Sequence, residues 1–359
     1  MLKLDDLTIV IPSFGRQEFL ARQIAYWRGS RAHILILDGT QNPMSLHDCP
    51  VNVDYRHTPI DFFQRMNLAA DLITTKYVAL LGDDDLYLPS GLNDCIDWLE
   101  QNPADIGAVG RALYFFFQDG RVFVAEKNAD SSNFPPTVNT GLDRLKNYYF
   151  PGKIGAIAYG VYRTDKWKEA VRATYAVRYS CGYVYDTYLR TTLTYSGNVS
   201  VCDSITWMCS GENPPIQDSS SFNRKLDLIN WLTESTWSNE RVAFQSSLVD
   251  ALVAIGPDER SELDAAVGEI IRILTDRYTV KLQARRSLLA RSRSAVIRNS
   301  PRKVRQIAKF LLPESLKASF GWEGSDIRTV ISGLSARGIA SDDAEVANFE
   351  KTVLAFHCR

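Results

Sequence analysis

Histidine is scarce in this chain: there are four, His33, His47, His57 and His357, and the long stretch between the last two has none. That argues against Ser-His-Asp or Cys-His nucleophilic catalysis and against a His-assisted metal site. The six cysteines (Cys49, Cys95, Cys181, Cys202, Cys209, Cys358) form no CxxC pair and no zinc spacing. Reduced thiols in a cytoplasmic protein are therefore expected. No apolar run approaches the roughly 18 residues that suggest a membrane-spanning helix. Met1 to Asp6 carries three charges and leads straight into a strand-like segment, which does not read as a signal peptide.

What remains is ordinary globular material: 359 residues, 45% hydrophobic and 23% charged, enough for one large core or two domains. The net charge of −1 is unevenly spread. Residues 281–309 contain ten Lys or Arg and no Asp or Glu, so the rest of the chain carries about −11.

The first half alternates apolar runs with helical spacing. Leu7 to Ile11 is β-branched and stops at Pro12, as a buried strand does. Phe19, Leu20, Ile24 and Trp27 mark a helix over 17–27. His33 to Leu37 is a second strand, Phe62 to Ile73 a second helix and Tyr77 to Leu81 a third strand. This order predicts a parallel sheet covered by helices. Segments 111–117 and 121–125 flank Asp119-Gly120, a hairpin signal. Beyond Phe222 glycine thins out, and helices are expected over 222–255, 258–290, 301–311, 325–335 and 342–356. The expected division is 1–220, an α/β domain, and 221–359, a mainly helical domain.

Ligands of open α/β sheets bind beyond the carboxyl ends of the strands. All three predicted strands end there in polar residues: Pro12-Ser13-Phe14-Gly15-Arg16, Asp38-Gly39-Thr40 and Gly82-Asp83-Asp84-Asp85. Adjacent carboxylates repel unless a cation neutralises them. Hard oxygen ligands suit Mg²⁺ or Mn²⁺, held by one or two carboxylates plus substrate phosphates.

Four segments in order, TIVIPSFGR (8–16), LILDGT (35–40), FFQRMNLAAD (62–71) and ALLGDDDLYLP (79–89), resemble the motifs of family 2 glycosyltransferases, over roughly residues 7–210. The resemblance implies a GT-A fold and a nucleotide-sugar donor. It implies that Pro12, Ser13 and Arg16 border the nucleotide, that Asp38 contacts the base, and that Arg65 and Asn67 line the base or phosphate side. Asp83 and Asp85 would form the DxD pair on Mn²⁺ or Mg²⁺, Asp83 also towards the ribose. The family often has Asp where Gly82 stands, which shifts the register by one and leaves Asp84 as an alternative ligand. Arg65 is expected near the exposed edge of its helix.

Inverting transfer needs a carboxylate that takes the acceptor hydroxyl's proton. Tyr183 to Arg190 resembles the family's Glu-Asp motif with its trailing Arg, with Tyr185 in place of Glu, so Asp186 is the expected base. Glu212 and Asp218 are the runners-up. Tyr183 or Trp207 is the expected acceptor contact among many aromatics of the core.

The expected function is thus metal-dependent, inverting sugar transfer to a glycan or lipid-linked hydroxyl, in surface-polysaccharide synthesis. Two alternatives stay open. A nucleotidyltransferase acting on sugar phosphates would typically show a Gly- and Lys/Arg-rich phosphate loop, for which Ser13 to Arg16 is too short. A glycan- or membrane-binding protein with a decayed transferase domain would fit the departures at Gly82 and Tyr185. The basic segment 281–309 admits three uses: a solvated helical face, a surface docking on anionic lipid at the inner face of the membrane, or an anionic-glycan site. No nucleic-acid fold signature is present, and no nucleic-acid partner is expected.

Overall fold

The structure is a computed structural model that describes residues 3–45, 48–127, 138–149, 157–211, 226–286 and 325–358, with 281–286 as backbone only. The expected α/β architecture is present. Strands β1 (Leu7–Ser13), β2 (His33–Asp38), β3 (Val53–His57) and β4 (Tyr77–Leu80) form a parallel set in the order β3-β2-β1-β4. Helices α1 (Gln17–Trp27) and α2 (Phe62–Leu72) provide the crossovers. In this register Ser13 pairs with Asp38, and the Leu81 amide donates to Val10 O at 2.9 Å. The carboxyl ends of β1, β2 and β4 therefore meet on one rim.

The sheet continues in mixed sense. After β5 (Leu86–Tyr87) and α3 (Pro89–Gln101) come the long strand β6 (Asp105–Gln118) and β7 (Arg121–Lys127). These two form the predicted hairpin, turning at Asp119 (φ 52°) and Gly120 (φ 74°). Glycine takes that left-handed conformation without strain, and Asp tolerates it better than most. Helix α4 (Gly141–Tyr149), β8 (Val161–Arg163), α5 (Thr164–Thr174), α6 (Val184–Ser196) and β9 (Asn198–Ser210) follow. β8 bridges β4 and β6 antiparallel, while β9 runs parallel to β6 and antiparallel to β5.

Both faces of the sheet are covered. On one, α1 buries Leu20, Ile24 and Trp27 towards the parallel strands, and α3 buries Leu92, Ile96 and Leu99 towards β6 and β9, in one apolar cluster. On the other, Phe63 and Met66 of α2 join α5, α6 and the later helices α7 (Leu228–Thr233), α8 (Ser238–Ile255) and α9 (Arg260–Arg286) in a single apolar cluster. The last elements, β10 (Ser325–Asp326), α10 (Ile327–Ser335) and α11 (Asp343–His357), close over the β6–β7 hairpin through Ile327, Ile331, Leu334 and Phe349. Helix starts are capped by Asp61, Asp227, Asp326 and Asp342, each accepting from a first-turn amide.

The boundary expected near 220 lies outside the described residues, as do the helix expected over 301–311 and most of the basic segment 281–309. Strand β3 was not foreseen: Val53-Asp54-Tyr55-Arg56-His57 puts charges on alternate positions at the sheet edge, where water accepts them. Among the described residues no helix is long and apolar enough to cross a membrane.

Candidate active site

A cavity of about 460 Å³ opens at the carboxyl rim of β1 and β4, within the range of small-molecule sites. Its lining includes Pro12, Ser13, Arg16, Arg65 and Asp83 to Asp85 from the parallel half, Lys127 and Trp207 from the mixed half, and Tyr183, Tyr185 and Asp186 from the start of α6.

The acidic run is built into the rim by α1. Helical spacing turns Arg22 and Gln23 inward beside Leu20 and Ile24, and both polar side chains are buried. Gln23 Nε2 donates to the backbone oxygens of Asp83 (3.0 Å) and Asp85 (2.5 Å), and Arg22 Nη2 donates to that of Asp84 at 2.6 Å. The loop carbonyls are thus satisfied from below, and two of the three carboxyl groups are drawn inside. Arg22 itself rests against the rings of Phe19 and Phe356, 4.9 and 4.8 Å from its guanidinium carbon, and the two rings lie 4.8 Å from each other. Two polar residues on the apolar face of a helix, Arg22 and Gln23, are the sequence signal for this support.

The three acids occupy different environments. Asp83 is 2% exposed; it accepts from Ser13 Oγ at 2.7 Å and faces Arg16 Nη1 at 3.4 Å. Burial pushes its carboxyl up to about 7, opposed by the Ser13 hydrogen bond and reinforced by the charge of Asp84. Asp85 has both oxygens engaged, one by Trp207 Nε1 at 3.0 Å and the other by the Ser210 amide at 2.7 Å. Burial raises it to about 6, with Asp84 adding to the rise. Asp84 is the most open of the three and pairs with Arg16 at 3.1 Å. A Cβ at position 82 would lie 2.9 Å from Asp85 Oδ2. Since Trp207 and Ser210 pin that carboxylate, the side chain cannot step aside, which accounts for glycine at 82.

These residues suit a divalent cation on one condition. Among the described residues no group of three or more His, Cys, Asp or Glu side chains could hold a metal by itself. Mg²⁺ and Mn²⁺ need no such cage when substrate phosphates complete the shell. The clustered acids of this rim, with Arg16 the cation paired to Asp83 and Asp84, are a donor set with charge to spare for such an ion.

Arg65 departs from expectation: it is 1% exposed rather than at an exposed edge. Its guanidinium donates to Ser13 O and lies near the rings of Phe14 and Phe62. A Cβ on Gly39 would collide with it. The helix turns this face towards the carboxyl end of β1, where the arginine acts as a brace for the Ser13 loop.

Asp38 and Asn67 do not line the cavity. Asp38 is wholly buried; it accepts from Thr40 N (2.9 Å), Gln17 Nε2 (3.0 Å) and Tyr55 Oη (2.8 Å). Burial alone would raise its carboxyl, yet the bonds from Thr40, Gln17 and Tyr55 hold it below the ordinary value. Asp186 does reach the cavity, from the first turn of α6. It is half-exposed and ion-paired with Arg190 one turn on. Tyr185, in the position where the resembled motif has Glu, stacks on Tyr175 and donates to Val177 O at 3.0 Å, so it anchors the start of α6. Trp207 stacks on Tyr159 (centroids 4.0 Å apart, 12° between planes), carries Lys127 Nζ 4.0 Å from its ring centroid, and is only 4% exposed. Glu212 and Asp218 lie outside the described residues. Lys127, Tyr159 and Tyr175 are lining residues not singled out from the sequence.

No family model matches the chain, and no curated protein sequence matches it. Among solved structures it is similar to S. aureus TarS 1-349, at 11% identity, covering 77% of this chain and 91% of that one with a TM-score of 0.41. It is also similar to TarS 1-349 in complex with UDP-GlcNAc, at 11% identity, 84% and 83% coverage and a TM-score of 0.49. A third is TarS 1-349 in complex with UDP, at 12% identity, 77% and 91% coverage and a TM-score of 0.39.

Proposed function

We propose that the chain is an inverting glycosyltransferase that moves a sugar from a nucleotide-sugar donor to a hydroxyl of a glycan or lipid-linked acceptor, in surface-polysaccharide synthesis. One observation carries this reading. The acidic rim at Asp83 and Asp84, with Arg16 beside it, shares a single cavity with a solvent-accessible carboxylate, Asp186, from another wall. A donor's diphosphate needs cationic or metal partners at one end of such a site. A hydroxyl nucleophile needs a base at the other.

In this reading the Ser13 loop, braced by Arg65, receives the nucleotide, and Asp83 and Asp84 hold Mn²⁺ or Mg²⁺. When bound, that ion offsets charge on the departing diphosphate as a Lewis acid. Asp85 has both oxygens committed within the fold and acts as the fastener between the acidic loop and β9. Asp186 accepts the proton of the acceptor hydroxyl as its oxygen bonds to the anomeric carbon. The bond from that carbon to the diphosphate oxygen breaks, and the nucleoside diphosphate leaves with the electron pair. The ion pair with Arg190, one turn on in α6, holds the Asp186 carboxylate in place at the cavity.

The test is a panel of nucleotide sugars incubated with the protein, with Mn²⁺ and with EDTA, while released nucleoside diphosphate and product anomeric configuration are followed by NMR. Release with an inverted product is expected with metal alone. Retention of configuration, or equal turnover in EDTA, counts against the proposal.

A further inference from the structure

Lys127 is a cation of the cavity wall for which neither the donor end nor the base has a use. It ends β7, lines the cavity, and folds inward rather than extending its head into water. Its Nζ lies 4.0 Å from the centroid of the Trp207 ring, 4.3 Å from that of Tyr114, and 2.9 Å from Cys209 Sγ. Among the described residues these are its direct contacts, and no carboxylate pairs with it. The nearby acid, Asp85, has both oxygens taken by Trp207 and Ser210. The thiol is no counter-ion either: burial pushes Cys209 up to about 12, so it stays protonated. The other lining cations are committed, Arg16 to Asp83 and Asp84, and Arg65 to Ser13 O.

Position separates Lys127 from the diphosphate end. The acidic rim and the Ser13 loop belong to β1 and β4, while Lys127 stands on the wall made by β7 and β9, across Trp207 from Asp85 and near enough for its charge to lower that carboxyl. A lysine that lies on aromatic rings, with no carboxylate within hydrogen-bond distance, can take an anion entering the cleft.

We propose that Lys127 is an oxyanion subsite on the acceptor side of the cleft, so that the acceptor carries a phosphate or carboxylate group near the hydroxyl it offers. The word acceptor rests on the transferase reading; the subsite itself rests on Lys127, Trp207 and Cys209.

The experiment titrates glycerol 3-phosphate, glucuronate, glycerol and glucose into the full chain, with a nucleoside diphosphate and Mn²⁺ at saturation. Binding is followed through the Trp207 indole N–H resonance, assigned with Trp207→Phe. The two anionic probes should shift that resonance and the two neutral ones should not. The stronger anion identifies phosphate or carboxylate as the group recognised. Lys127→Met should weaken the anions roughly tenfold or more, and Lys127→Arg should restore them. An unchanged response in a folded Lys127→Met, no anion response in the wild type, or an anion response abolished by the nucleoside diphosphate overturns the subsite. Failure of any nucleoside diphosphate to bind overturns the transferase reading instead, and is seen separately in the same titration.

Discussion

Arg22 Nη2 donates to the backbone oxygen of Asp84 at 2.6 Å, while its guanidinium rests against the paired rings of Phe19 of α1 and Phe356 of α11. The acidic loop is therefore held from beneath by a helix that the last turn of the chain clamps. Arg22→Met keeps the bulk but leaves that oxygen without its charged donor, which costs about 1–3 kcal/mol. We expect lower urea stability together with weaker donor binding. Phe356→Ala should do the same to a smaller degree, through Arg22. Unaltered donor binding in a destabilised Arg22→Met would mean that the clamp serves the fold alone.

Trp207 and the Ser210 amide take both oxygens of Asp85. Trp207→Phe removes one hydrogen bond to a buried carboxylate and should cost about 1.5–3 kcal/mol. It should also push Asp85 above its already raised value of about 6. Chemical denaturation at pH near 8 reads the loss, which should shrink at about pH 5, where Asp85 is mostly protonated in either protein. A loss independent of pH would point to packing rather than charge.

Metal response should depend on pH, with a fixed sign. Asp83, at about 7, and Asp85, at about 6, bind protons more tightly in the folded chain than the ordinary carboxylate does. As pH rises from about 4 towards 7, the folded state holds more protons than the unfolded one, and metal-free stability falls. A divalent cation favours the ionised carboxylates, so Mn²⁺ should raise the melting temperature strongly at about pH 8 and little at about pH 5. An equal rise at both values would place the ion elsewhere.

Gly82 has a steric reason to be glycine, since a Cβ there meets the pinned Asp85 carboxylate. Gly82→Ala should destabilise the fold and impair donor binding together, whereas the same change made in an Asp85→Ala background, where the atom that the Cβ meets is gone, should cost less. Calorimetric melting with and without the change in each background checks this. Full tolerance of alanine would show that the loop has room to move.

Periodicity and strand ends made the parallel half of the fold legible, together with the rim that unites Ser13, Arg16 and the acidic run. The same signals failed where burial reversed a residue's usual habit. Arg65 reads as a surface arginine, yet Gly39 leaves a slot for its guanidinium. Asp38 reads as a base contact; in the fold it is buried outside the cavity lining and accepts from Gln17, Thr40 and Tyr55. Tyr55 comes from β3, a strand hidden by its alternating charges. Lys127 was invisible for another reason: only pairing of β6 with both β7 and β9 sets it beside Trp207, and no local pattern records such a pairing.

The most direct test compares Asp186→Asn with the wild type in two assays on the same preparation, donor binding by calorimetry and sugar transfer by nucleoside diphosphate release. If Asp186 is the base of an inverting transferase, donor affinity stays within about twofold while transfer falls by roughly 10²–10⁴. Wild-type transfer by Asp186→Asn would contradict it.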